Sequence, residues 1–116
     1  MRHYFLLFVL FVITEQSLAQ RQIIDSLKSL ISKTLTDTTK VRLLQELAET
    51  YRVSPDLKNQ DSAVNYSNQS LQIARDIDDK RGEIRSLVVL GKSIRNETNP
   101  IKAIEYFKQA FSLAKK

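Results

Sequence analysis

Side chains that could act as catalysts or metal ligands are scarce in this chain of 116 residues. The single histidine, His3, lies in an apolar N-terminal segment, and there is no cysteine, so the commonest catalytic bases, nucleophiles and zinc ligands are missing. Asp78 and Asp79 are adjacent carboxylates, but they lack the alternating acidic loop of a calcium site. No glycine-rich phosphate loop is present. The sequence therefore predicts a protein that is not an enzyme and needs no metal or cofactor.

The charge of the chain is basic but dispersed. Eighteen Lys and Arg residues against 13 Asp and Glu residues give a net charge of +5, and the basic residues are scattered along the chain. Scattered charge is usually a solvated surface. A basic helical protein that binds nucleic acid is one alternative. We expect no nucleic-acid binding, because the turn at 99–100 suits a recognition helix poorly and an exported protein rarely meets DNA.

The composition favours helices as the elements that position these charges. There are only two Gly and two Pro, and no stretch alternates between polar and apolar residues with a period of two. The second half of the chain, 80–116, contains two amphipathic patterns separated by a turn. Asn99 is a good N-cap, and Pro100 suits the first helical position, where its missing N–H costs nothing. We predict an all-α fold without a sheet.

The second half of the chain has an earlier copy. At an offset of 43 positions the first helix of each copy aligns, pairing Leu44, Leu47, Ala48 and Tyr51 with Leu87, Leu90, Gly91 and Ile94. At an offset of 40 the second helices share four identical residues, pairing Ala63, Tyr66, Gln69 and Ala74 with Ala103, Tyr106, Gln109 and Ala114. The difference of three predicts a longer loop in the first copy, around 54–60, with Asp61 or Ser62 as the N-cap of the helix that follows. Self-similarity at a fixed period indicates stacked supersecondary units.

These residues resemble the tetratricopeptide repeat (TPR) family. Leu87-x2-Leu90-Gly91-x2-Ile94 followed by Ala103-x3-Phe107-x2-Ala110 is similar to the family pattern, and the earlier copy departs from it by Ser67 where the later copy has Phe107. The repeat length of about 40 exceeds the usual 34. The resemblance implies antiparallel helical hairpins stacked as a short TPR-like solenoid, with hairpins over 40–77 and 80–116. Any other antiparallel helical hairpin protein is the alternative.

The N-terminal segment is typical of an export signal. Arg2 and His3 precede a ten-residue apolar run, 4–13, and Ser17-Leu18-Ala19 is a small-x-small cleavage site. Ten apolar residues are too few for a stable bilayer span. We predict a signal peptide over 1–19, cleavage near Ala19 and a periplasmic location. An uncleaved anchor and a buried helix are the alternatives.

Residues 20–36 are predicted to form a capping helix. A stripe of apolar side chains would cover the open end of the first repeat, because terminal units of repeat arrays need a polar outer face. This stripe consists of Ile23, Ile24, Leu27, Leu30 and Ile31. Asp37 or Thr38 is the expected N-cap of the next helix.

The resemblance also implies a binding surface. In TPR proteins the first helix of each repeat lines a concave groove, and the positions carried over onto this chain are Arg42, Gln45, Glu49, Arg52, Arg85, Val88, Lys92, Arg95 and Asn96. Five of these residues are basic and one is acidic, which would suit an acidic peptide or a C-terminal carboxylate. The Lys and Asn arrangement of the carboxylate-clamp members is not reproduced. A merely solvated face is the alternative.

Together these features favour a protein–protein interaction module. A signal, a capping helix and long-type repeats resemble the exported N-terminal sensor region of bacterial signalling proteins. A free-standing exported adaptor is the rival interpretation. At the last helix, Phe107, Phe111 and Leu113 are not expected to be covered by a following helix. A truncated sensor, or a homodimer through the C-terminal helix, would explain such an end.

Overall fold

The structure, a computed structural model, describes residues 2–54, 57–95 and 99–116. The side chains of Ile13, Gln16, Leu57, Lys58 and Arg95 lie outside this description. Five helices make up the fold: α1 (Arg2–Lys33), α2 (Thr38–Arg52), α3 (Leu57–Asp76), α4 (Lys80–Arg95) and α5 (Pro100–Lys115). No strand occurs among the residues described. The predicted all-α class is confirmed.

The helices pack in the order of the chain. α1 packs on α2, α2 on α3, α3 on α4 and α4 on α5, and α2 also contacts α4. Short connections reverse the chain between consecutive helices. α2 and α4 therefore run in the same direction, and α3 lies against both. This arrangement of stacked hairpins is that of a helical repeat.

Helix starts follow the capping residues of the sequence. Asp37 accepts hydrogen bonds from the amides of Thr39 and Lys40 at 2.8 and 3.2 Å, and Asn99 accepts one from Lys102 at 3.2 Å. Both satisfy amides that have no partner within the helix. The prediction of Asn99 as N-cap, and of Asp37 as one of two candidates, is confirmed.

The turn between α3 and α4 uses both adjacent aspartates. Asp78 lies in the left-handed region with φ 56°, which Asp tolerates better than most residues. Asp79 then caps α4, because its carboxylate accepts a hydrogen bond from the amide of Gly82 at 2.9 Å. The backbone of Asp78 thus forms the turn after α3, and the carboxylate of Asp79 caps α4.

The longer loop predicted for the first hairpin is wrong. α3 begins at Leu57, so neither Asp61 nor Ser62 is its N-cap, and both hairpins leave four positions between their helices, 53–56 and 96–99. The extra residues extend the N-terminus of α3. Gln60 follows this extension in the first turn of α3, and its side-chain amide donates to the carbonyl of Arg52 at 2.9 Å. That bond satisfies a carbonyl at the end of α2 and holds the extension against it.

The predicted capping helix is continuous with the apolar segment. α1 runs unbroken from Arg2 to Lys33, so no helix begins at Gln20. The apolar side chains from Tyr4 to Phe11 are exposed. By length and composition alone α1 is a helix that could cross a membrane, a test that N-terminal signal sequences also pass.

The C-terminal half of α1 caps the first hairpin. Ile24, Leu27 and Ile31 pack against a core that includes Leu47 and Tyr51. The ring of Tyr51 stacks on Tyr66 of α3, with 5.6 Å between centroids. Tyr51 and Tyr66 are thus engaged in packing between α2 and α3.

Two polar side chains of α1, Gln20 and Lys28, contact α2 at the edge of this core. Gln20 donates to the carbonyl of Thr50 at 3.1 Å. The ammonium of Lys28 lies 5.8 Å from the ring centroid of Tyr51, and hydrogen bonding to Tyr51 raises the pKa of Lys28. Both contacts join the docked half of α1 to α2.

The second hairpin is packed around Gly91. A Cβ at Gly91 would come within 2.7 Å of the Phe107 ring, so the missing side chain makes room for this phenylalanine. Phe107 and Leu113 are half-buried against the core of Leu87 and Leu90. This core thus covers Phe107 and Leu113 in part. Phe111 alone of the three is exposed.

Candidate functional site

The candidate site is the outward surface of α2 and α4, called here the α2–α4 surface. Arg42, Arg85 and Lys92 are exposed on it. Arg85 and Lys92 are seven residues apart, two helical turns, and therefore lie on one face of α4. Arg42 is the repeat equivalent of Arg85, at the offset of 43. Among the described residues, these three cations form no ion pair.

Glu49 and Arg52 neutralise each other on the same surface. Both Nε and Nη2 of Arg52 donate to one carboxylate oxygen of Glu49, at 2.9 and 2.7 Å. The pair is half-buried and spaced i,i+3 on one helix. Glu46, four residues after Arg42, is exposed on the same face of α2. The excess positive charge of the α2–α4 surface therefore comes from α4.

Gln45 does not line an open groove, contrary to the prediction. Its side chain is 2% exposed and points between α2 and α4. Its Nε2 donates to the carbonyl of Gly82 at 2.9 Å and to the hydroxyl of Ser86 at 2.8 Å. Ser86 in turn shares a 2.8 Å hydrogen bond with the hydroxyl of Ser70 on α3. The result is a buried polar network, Gln45–Ser86–Ser70, that joins three helices beneath the α2–α4 surface.

Gly82 permits this close approach of α2 and α4. A Cβ at Gly82 would lie 2.9 Å from Cγ1 of Val41 and against the carboxylate of Asp79. A side chain there would push α2 away and lengthen the hydrogen bond from Gln45. The spacing between α2 and α4, and hence between Arg42 and Arg85, depends on this glycine.

Of the three remaining predicted positions, one packs against the core and two lie wholly or partly outside the described residues. Val88 is half-buried and packs against the core of the second hairpin. Arg95 ends α4, but its side chain is outside the described set. Asn96 lies outside the described residues altogether. None of the three adds an observed functional group to the α2–α4 surface.

Sequence reasoning missed Arg81. It is exposed and lies four residues before Arg85, so both occupy the same face of α4. The repeat equivalent of Arg81 on α2 is Thr38, so a comparison of the two copies does not mark Arg81 as a binding residue. Its position four residues before Arg85 is the only feature of the sequence that places it on the same face. Arg81, Arg85 and Lys92 form a basic row along α4.

The chemistry available on this surface is charge-assisted hydrogen bonding. Guanidinium and ammonium groups bind carboxylates, and arginine can do so with two parallel bonds. Among the described residues, no group of three or more His, Cys, Asp and Glu side chains could hold a metal ion. Comparison of the chain with protein-family models, with curated proteins and with solved structures finds no match.

Proposed function

We propose that this chain is a non-catalytic protein-binding module, resembling a TPR scaffold, that accepts acidic peptide segments on its α2–α4 surface. The observation that carries the proposal is the row of exposed cations on α4, to which α2 adds Arg42. None of these cations forms an ion pair among the described residues. Helices held at fixed spacing by a buried network present these cations as a preformed pattern.

An acidic peptide of Asp and Glu residues with a fluorescent label is expected to bind the full chain. Binding should weaken steeply as salt rises, because the charges are exposed and screened. Arg85→Glu combined with Lys92→Glu should reduce the affinity about tenfold or more, because attraction becomes repulsion. Fluorescence anisotropy in a mild detergent, which covers the exposed apolar half of α1, measures both effects.

Lys102→Glu combined with Lys108→Glu is the matched control. This double variant makes the same change of net charge at two exposed positions on α5, and it should leave peptide affinity within about twofold once salt screens long-range effects. Equal loss in both variants would show attraction to net charge only. Absence of saturable binding to the wild-type chain would refute the proposed function.

We also propose that the chain is exported, as the sensor region of a bacterial signalling protein or as a free-standing adaptor. The described side chains of 2–19 are almost all exposed, and Gln20 makes a hydrogen bond from α1 to α2. The docked half of α1 thus extends close to the expected cleavage site. This division supports a removable leader followed by a retained cap.

Intact-mass measurement on the native protein tests export. A soluble mass matching residues 20–116 is expected for a cleaved adaptor, and a larger membrane-bound mass that begins at Gln20 is expected for a sensor. A mass that retains residues 1–19 would overturn cleavage near Ala19. Ala19→Arg should block processing, because the cleavage site needs a small residue there.

A further inference from the structure

The outer face of α5 carries large apolar side chains that are exposed. Ile104 and Phe111 are 51% and 63% exposed, and they lie seven residues apart on one face. Ala114 is exposed beside them. The ammonium of Lys115 lies 4.4 Å from the ring centroid of Phe111. We call these four residues the α5 outer face.

The internal repeat shows what kind of element covers such a face. At the offset of 40, Ile104, Phe111 and Ala114 correspond to Val64, Leu71 and Ala74 of α3. Leu71 and Ala74 are buried and Val64 is half-buried. Leu71 and Val64 belong to the core formed with Leu87 and Leu90 of α4. An amphipathic helix is thus the observed partner of this surface elsewhere in the same chain.

The charged residue at the edge of the face follows the same correspondence. Lys115 is the equivalent of Arg75. Nε of Arg75 donates to Oε1 of Glu83, in the first turn of α4, at 2.9 Å. Glu83 precedes Leu87 by four residues and Leu90 by seven, so all three share one side of α4. A helix seated on α5 in the same way would present an acidic residue to Lys115.

We propose that the α5 outer face is a second docking surface, which binds an amphipathic helix of another protein. That helix carries an acidic residue followed four and seven residues later by leucine-sized side chains, as Glu83, Leu87 and Leu90 do. A second copy of this chain is a poor occupant. The apolar faces of its α2 and α4 are already buried within its own fold. Its α5 is basic, with Lys102, Lys108, Lys115 and Lys116, and would repel Lys115.

A synthetic helical peptide with the pattern Glu-x3-Leu-x2-Leu on an alanine-rich background is the probe. The full chain should bind it saturably in fluorescence anisotropy, and Phe111→Asp should weaken binding at least about tenfold, since the substitution puts a charge against the leucines. Phe111 is exposed, so this variant should keep the far-ultraviolet circular dichroism of the wild type. A peptide with the two leucines replaced by serine should not bind.

A charge exchange between the chain and the peptide distinguishes specific docking from nonspecific hydrophobic binding. Lys115→Glu should weaken binding of the Glu peptide about three- to tenfold, and changing the peptide glutamate to lysine should restore it. Lys102→Glu, off this face on the same helix, is the matched control and should bind normally. The Arg85→Glu, Lys92→Glu double variant should also bind this probe normally, so failure of the α2–α4 surface and of the α5 outer face are distinguishable.

Three results would overturn the proposal. The first is no saturable binding of the Glu-x3-Leu-x2-Leu peptide to the wild-type chain. The second is equal binding by the wild type and Phe111→Asp. The third is concentration-dependent self-association in analytical ultracentrifugation that Phe111→Asp abolishes and the peptide does not reverse, which would make a second copy the occupant.

Discussion

Replacing Leu87 with alanine is expected to destabilise the chain by about 2–5 kcal/mol, the range for removing a buried leucine side chain. Leu87 is fully buried, in the core that joins α3, α4 and α5. The cost includes lost burial of apolar surface and the cavity that a rigid helical core leaves behind. A domain of this size has a total stability of about 5–15 kcal/mol, so a large fraction is at stake.

Urea denaturation followed by circular dichroism measures the effect. Leu35→Ala is the matched control, because Leu35 is 82% exposed between α1 and α2, and its removal should change the free energy of unfolding by less than about 0.5 kcal/mol. A loss below about 1 kcal/mol for Leu87→Ala would contradict the packing of α4 described here.

Ser86→Ala is expected to cost about 1–3 kcal/mol, the penalty for disrupting buried hydrogen bonds. The hydroxyl of Ser86 accepts from Gln45 and is bonded to Ser70. Its loss leaves Ser70 with fewer partners and removes one of the two bonds that anchor Gln45. Because the network joins α2, α3 and α4, the loss should also loosen the spacing of the α2–α4 surface.

Ser93→Ala provides the control for this second prediction. Ser93 is equally buried on α4, but its hydroxyl donates to the carbonyl of Val89 in its own helix at 2.8 Å. Its removal breaks no bond between helices and should cost less than Ser86→Ala. Equal losses in the two variants would argue against an interhelical role for Ser86.

A double-mutant cycle isolates the coupling. Gln45→Leu combined with Ser86→Ala replaces both partners by apolar groups, which can be nearly neutral where a single replacement is not. The double variant should therefore be more stable than the sum of the single losses predicts, by about 0.5–3 kcal/mol. Additive losses would indicate that the two side chains act independently.

The two copies divide their interior volume differently. Gly91 and Phe107 in the second hairpin correspond to Ala48 and Ser67 in the first, and Ala48 and Ser67 are fully buried. A large ring over a glycine in one hairpin is replaced by two small side chains in the other. Ser67 departs from the family pattern, and its buried hydroxyl donates to the carbonyl of Ala63 at 2.7 Å.

Sequence periodicity was sufficient for the elements and most of their boundaries. Apolar spacing identified four of the five helices, and side chains that satisfy free amides identified the starts of α2 and α5. Those features are local, since a helical face and an N-cap are set by residues within a few positions of each other. The start of α3 was missed because Gln60 stabilises it through a bond to the end of another helix.

The candidate site was predicted only in part for a related reason. The resemblance to TPR proteins implied that Arg42, Arg85 and Lys92 line an outward surface, and all three are exposed. Gln45 lies three residues after Arg42, just as Val88 lies three residues after Arg85. Spacing within one helix therefore does not show whether the side chain at this position is on the surface or buried. Its burial depends on Gly82 and Ser86, which lie 37 and 41 residues away.

The sequence by itself determined the helical class, the repeat, the capping residues and the excess of basic side chains, because each follows from local spacing or composition. Only the tertiary structure decided that α1 is one continuous helix docked through its C-terminal half and that Gln45 is a core residue. The physical reason is that burial and polar satisfaction depend on which helices meet and how closely they approach. That distance is set jointly by side chains far apart in the chain.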